Sequence, residues 1–180
     1  MNVLKYLLLI IISLTLGSCI SVRFENPQPI DADRITEFPG YLAGVYSSEE
    51  NDTLQIRRQS FKYKEDTVDI SGKVSAEEFV LKQLGNFYVL SIQSNDIWDV
   101  YLLKKVNDSI NVFSFQFDRD KTDDLLDELN RITQVKQVKD EDGELDYLLV
   151  NPTGSEFSMM ISSGIISNSI EFTLIEEGEE

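Results

Sequence analysis

The chain has 180 residues, with 32 Asp and Glu against 16 Lys and Arg and a formal charge of −16. That length is one domain, and cations so sparse make no basic stripe, so nucleic acid is not expected as a partner. Histidine is absent and cysteine occurs once, which removes Ser-His-Asp and Cys-His catalysis and zinc held by His or Cys.

The chain opens with a single cation, Lys5, and then an apolar run, Leu7 to Leu16, interrupted only by Ser13 and Thr15. Gly17, Ser18 and Cys19 follow. A basic start, a short apolar core and small residues at a cut site are the parts of a secretory leader. As a helix the run spans about 15 Å, half of the roughly 30 Å of a bilayer core, so it is too short to span. Leu16-Gly17-Ser18-Cys19 resembles the lipobox of bacterial lipoproteins. The resemblance implies cleavage before Cys19, a diacylglyceryl thioether on its sulfur and acylation of the new amino terminus. It implies a protein tethered to a membrane by lipid in the bacterial cell envelope. No acidic cluster follows Ile20 directly, which by the same likeness points to the outer membrane. Two or more acyl chains hold a protein stably, where one does not. The likeness is to small bacterial lipoproteins in general and brings no activity with it. Without residues 1–18 the chain keeps 162 of its 180 residues, enough for a core that needs no disulfide.

Ile20 to Pro39 contains Pro27, Pro29 and Pro39 and reads as an extended tether. At about 3.1 Å per residue it would reach about 60 Å, less if Ile35 and Phe38 dock on the domain. From Gly40 the pattern has period two, in Leu54 with Ile56, Phe61 with Tyr63 and Val68 with Ile70. The parity changes between Ile56 and Phe61, which places a turn near Arg57 to Gln59. Lys64-Glu65-Asp66-Thr67 and Ser71-Gly72 are turn signals. Ser75-Ala76-Glu77-Glu78 reads as a capping box or as the approach to a strand, Phe79 to Leu84. The strand is favoured, because Phe87 to Ile92 follows Gly85-Asn86 directly and needs a partner.

Phe87 to Ile92 and Trp98 to Leu103 are apolar at both parities, so they are expected as central strands covered on both faces. Asn95-Asp96 turns between them, and Asn107-Asp108-Ser109 turns into a strand from Ile110 to Phe117. Thr122 to Ile132 has Leu125, Leu126, Leu129 and Ile132 at helical spacing, with Asp120 or Thr122 to cap it. Val135 to Val138 and Leu145 to Val150 are strands either side of Asp140-Glu141-Asp142-Gly143. Thr153-Gly154-Ser155-Glu156 is a capping box for a short helix with Phe157, Met160 and Ile161 on one face and Gly164 as its stop. Ser169 to Ile175 is a last strand before an acidic, fraying tail, Glu176 to Glu180.

The fold expected is α+β and β-rich: an antiparallel meander, barrel-like or sandwich-like, with two short helices towards the C-terminus. Residues 1–18 are a leader, 19–39 a lipidated tether and 40–180 one acidic domain. Gly44-Val45-Tyr46 ahead of a strand meander resembles the opening of lipocalin-like barrels, a likeness of three residues.

Carboxylates are the remaining reactive groups, and with 32 of them close pairs arise by chance, so an acid-pair glycosidase is not the favoured reading. Asp140, Asp142, Glu144 and Asp146 around Gly143 are the calcium candidate. They lack the glycine and glutamate spacing of an EF-hand loop and read better as a solvated hairpin tip. Asp118, Asp120, Asp123 and Asp124 suit a helix start, and Trp98 suits the core. Phosphate loops and dinucleotide fingerprints are absent, so no catalytic residue and no cofactor is expected. The function expected is a non-catalytic binding or interaction module on a lipid anchor, with an envelope protein as a possible partner. The alternatives are a carrier of a small apolar ligand and an immunity-type lipoprotein against a basic toxin.

Overall fold

Short strands joined by tight turns pair first with their sequence neighbours. That order governs the computed structural model, which describes residues 19–66, 68–166 and 169–177. The leader, Thr67 and the last tail residues lie outside the described residues. Strands β1 (Ile20–Phe24), β2 (Arg34–Ile35), β3 (Gly44–Ser47), β4 (Thr53–Arg57), β5 (Ser60–Glu65), β6 (Val68–Lys73) and β7 (Phe79–Leu84) make the first half. Strands β8 (Phe87–Ser94), β9 (Ile97–Val106), β10 (Ser109–Phe113) and β11 (Gln116–Phe117) follow. Helix α1 (Thr122–Ile132), β12 (Val135–Lys139), β13 (Leu145–Val150), helix α2 (Gly154–Ser162) and β14 (Ile170–Glu177) complete the order. The two helices and the strand-rich, mainly antiparallel sheet match the expected class.

The strand path runs β12-β13-β1-β9-β10-β14-β3-β4-β5-β6, with β8, β7 and β2 added on the other edge of β9. β9 is the hub. One edge pairs with β8 from Ser94↔Ile97 to Tyr88↔Leu103. The other edge pairs with β10 from Leu102 onward and with β1 only at Phe24↔Trp98. The far arm then curls back until β5 and β6 meet β7. The Phe61 and Phe79 rings pack edge to face with centroids 5.3 Å apart. Gly72 lies so close beneath Phe79 that an added Cβ would stand 2.3 Å from a ring carbon. Ser71-Gly72 is therefore part of strand β6 and not a turn, because the glycine serves close approach of a ring.

The three middle strands feed two cores. Val80, Val89, Val100 and Leu102 point into the core beneath the helices, while Leu81, Leu90, Tyr101 and Leu103 point into the curl. This is the two-faced burial that their unbroken apolar runs imply. Trp98 belongs to the helix-side core. Leu125 and Leu129 of α1 and Phe157 and Met160 of α2 close that side. The capping box of α2 forms: Thr153 Oγ1 accepts from Glu156 N at 3.3 Å, and Glu156 Oε2 accepts from Thr153 N at 2.7 Å. Helix α1 has no side-chain cap. It continues a 3₁₀ turn, Arg119–Lys121, and the Thr122 hydroxyl donates back to Arg119 O instead.

Two expectations about the ends are corrected. Ile20 to Pro39 is not an extended tether. Ile20, Val22 and Phe24 are buried, and β1 pairs in parallel with β13 from Ser21↔Tyr147 to Phe24↔Val150. The alternation of Ile20, Val22 and Phe24 with Ser21 and Arg23 is itself strand patterning, and it outweighs the prolines that follow. The proline segment is bound down in turn. Lys82 Nζ donates to Pro27 O at 3.2 Å and to Pro29 O at 2.7 Å, and Gln28 N donates to Ser91 Oγ at 3.1 Å. Ile35 and Phe38 do dock, both against the core inside the curl. At the other end, Glu176 and Glu177 are strand rather than fraying tail, paired with Val45 and Gly44. The expected strand from Ile110 to Phe117 divides into β10 and β11 at Ser114 and Phe115.

Candidate functional site

The curl is closed at one end and open at the other. The turn between β4 and β5 marks the closed end, where Phe38 N donates to Arg58 O at 2.7 Å. Phe38 and Leu42 are buried there, and the Tyr46 hydroxyl donates to Leu42 O at 3.0 Å. The β3–β4 and β5–β6 turns lie at the opposite end, as the Thr53↔Lys64 pairing requires. There the two sheet arms leave a trough of about 430 Å³. That volume falls within the usual range of small-molecule sites, about 300–1,000 Å³.

The residues of the trough divide by depth. Leu54, Phe61, Leu90, Leu103 and Phe172 are buried at its floor. Tyr63, Ile70, Ile92, Tyr101 and Val112 are half-buried on its walls. Val68 and Ile170 form exposed apolar lips. Among the described residues, Glu50, Asp52 and Glu65 are its charged groups and no lysine or arginine lines it.

The polar groups are held in place. The Tyr63 hydroxyl donates to Glu65 Oε2 at 2.8 Å. Burial, and then that hydrogen bond, hold the Tyr63 hydroxyl well above the usual phenol range, so it stays a donor. Its ring packs edge to face on Phe172 with centroids 6.2 Å apart. Asp52 is 8% exposed, and Ser48 Oγ both donates to its carboxylate at 3.3 Å and accepts from its amide at 3.1 Å. Burial, and then the charge of Asp99, raise the Tyr101 hydroxyl. Burial also raises Asp99, against the pull of Arg23 at 3.2 Å.

Cys19 is exposed and stands one residue before β1. Ile20 pairs with Phe117 and Ser21 with Gln116, and Gln116 lines the trough. The lipidation candidate therefore stands two residues from a strand position paired with a trough residue. The cut-site residues Leu16, Gly17 and Ser18 lie outside the described residues.

The calcium candidate does not gather. Asp140 Oδ1 accepts from Asp142 N at 3.0 Å and Glu144 N at 2.9 Å, so it closes its own turn. Asp146 is an exposed residue of β13. Among the described residues no group of three or more acidic or cysteine side chains converges as a metal would need. Asp118 pairs with Lys121 at 3.1 Å, and Asp123 and Asp124 occupy the first turn of α1.

Among the described residues no helix is long and apolar enough to cross a membrane. Comparison with protein-family models, with curated proteins and with solved structures found no match to this chain.

Sequence reasoning did not bring together Glu50, Asp52, Tyr63, Glu65 and Tyr101. They come from three hairpins and meet only because the sheet curls. The available signal was the parity of Tyr63, Ile70, Ile92 and Tyr101, which places each on the same face as core residues.

Proposed function

We propose that this chain is a lipid-anchored protein of the bacterial cell envelope, attached through Cys19, that binds a small apolar ligand in the trough. The observation that carries the reading is the trough itself, an apolar recess at the open end of a curl whose other end is shut. Its place beside Cys19 supports the anchor reading. A short link holds the open end close to the lipid, where apolar guests concentrate. Its hydroxyls, carboxylates and apolar walls suit binding.

The energetics set a scale. Burying a CH₂ group contributes about 0.8 kcal/mol, so a six-carbon chain contributes ~4–5 kcal/mol, the order of a millimolar Kd. The test is a titration of the full chain, reconstituted in phosphatidylcholine nanodiscs, with hexyl glucoside. Ligand-observed saturation-transfer NMR gives the affinity, and empty nanodiscs are the blank. Saturable binding that Ile92→Trp abolishes is the expected result. Binding that the substitution leaves untouched would locate the guest elsewhere and refute the trough. Intact-mass spectrometry tests the anchor separately, with residues 1–18 absent and a diacylglyceryl group on Cys19 as the expected result.

A further inference from the structure

The trough joins three properties that one ligand chemistry satisfies. Among the described residues its charged lining groups are all carboxylates, Glu50, Asp52 and Glu65. Two of them are positioned: Tyr63 donates to Glu65 at 2.8 Å, and Asp52 is nine-tenths buried and fixed by Ser48, while Glu50 stands exposed on the β3–β4 turn. The second property is aromatic. Phe61, Tyr63, Tyr101 and Phe172 all line the recess, and ring faces attract cations, ammonium groups above all. The third is the depth of the apolar floor, Leu54, Leu90 and Leu103, which lies below the acids.

Other guests fit these properties less well. A neutral apolar guest would fill the floor and make no use of the carboxylates, of which Glu50 and Glu65 are exposed and Asp52 is buried. An anion would meet like charge in a recess of low dielectric, on a chain whose net charge is already −16. A simple metal ion would leave the floor empty. A positively charged head with an alkyl arm answers the acids, the rings and the floor together. We propose that the trough is a binding site for small cationic amphiphiles, with an ammonium head among Glu50, Asp52 and Glu65 and an alkyl tail against Leu54, Leu90 and Leu103. This assignment rests on the trough being the ligand site and names the chemistry of its guest.

Three six-carbon probes test it on the full chain in phosphatidylcholine nanodiscs: hexyltrimethylammonium, hexyl glucoside and hexyl sulfate. The expected order is cation first by about tenfold over the neutral probe, with the anion weakest. Raising salt to about 0.5 M should shrink the cation's advantage and leave the neutral probe unchanged. The Glu50→Gln/Glu65→Gln chain should lose the tenfold preference for the cationic over the neutral probe. Glu50→Gln alone, on an exposed turn, reads out a partial loss should the double substitution impair folding. Equal affinity for the cationic and neutral probes in the unsubstituted chain would overturn this inference and leave the trough as a ligand site. A cation preference that survives both substitutions would overturn it as well. Failure of all three probes to bind would overturn it together with the trough reading.

Discussion

Ser21 of β1 pairs with Gln116 of β11, and Gln116 lines the trough. That one register position ties the amino-terminal end of the domain to the mouth of its recess. Cys19 is two residues from Ser21, and each residue of extended chain spans about 3.3 Å. A lipid on Cys19 would therefore hold the mouth within roughly one lipid headgroup layer of the membrane. A dye on Val68, an exposed lip, should be quenched by lipids labelled at the headgroup. A twenty-residue Gly/Ser insertion between Cys19 and Ile20 should relieve that quenching. Equal quenching with and without the insertion would show that β1 does not set the height of the domain.

Filling the recess should abolish binding and spare the fold. Ile92 is half-buried on the trough wall, so Ile92→Trp projects its added volume into open space and not into packed core. The expected change is at least a tenfold loss of affinity for a hexyl probe, with an unchanged far-ultraviolet circular dichroism spectrum. The same substitution at Leu81, which is buried in the curl and does not itself line the trough, should instead cost stability by overpacking, about 1–3 kcal/mol.

Much of the sheet was legible because its hairpins are local. The reversal of parity between Ile56 and Phe61 placed the turn that Arg58 and Gln59 occupy. The unbroken apolar runs of β8 and β9 announced that both faces would be covered. The capping box at Thr153 and Glu156 formed as written. Non-local pairing was not legible. Ile20 to Phe24 joins the sheet through Leu148 and Val150, more than a hundred residues away, and five alternating residues cannot name such a partner. Gly72 reads as a turn until the Phe79 ring above it is seen. The trough failed to appear for the same reason, since its acids and rings meet only through the curl.

Gly72 carries a second prediction. A methyl group there would have to displace the Phe79 ring, which is already packed against Phe61. Gly72→Ala should destabilise the chain by about 2 kcal/mol in urea unfolding, although alanine is acceptable to strand backbone. Pairing it with Phe79→Leu should recover part of that loss, because the leucine leaves room for the methyl group.

Lys82 is the bolt of the proline segment. It is buried, and its ammonium satisfies the carbonyls of Pro27 and Pro29. Lys82→Met keeps the stem and removes the donors, so both carbonyls lose their charged partner. The expected cost is about 2 kcal/mol. Amide exchange should accelerate in residues 25–33 before it does so in β8 and β9.

Alkaline conditions should unfold the chain in a way that Tyr88 reports. Burial, and then its hydrogen bond with Tyr41, push the Tyr88 hydroxyl to about 12. An unfolded tyrosine titrates near 10. Below about pH 10 both states hold the proton and the contribution is intact. Between about 10 and about 12 the unfolded chain has lost it and the folded chain has not, so stability falls as pH rises. Tyr46 and Tyr63 shift in the same direction, whereas burial lowers Lys82 and opposes the slope in part. Tyr88→Phe should lessen the loss measured between pH 9 and pH 11 by ~1 kcal/mol. An unchanged slope would mean that Tyr88 titrates alike in both states.

Native mass spectrometry of the chain extracted from its own membrane, under conditions that preserve non-covalent complexes, tests the central claim most directly. The account predicts a protein that begins at a lipidated Cys19 and carries a small bound guest, with the guest missing from the Ile92→Trp chain. A guest-free mass for the unsubstituted chain, or a guest that Ile92→Trp retains, would contradict it.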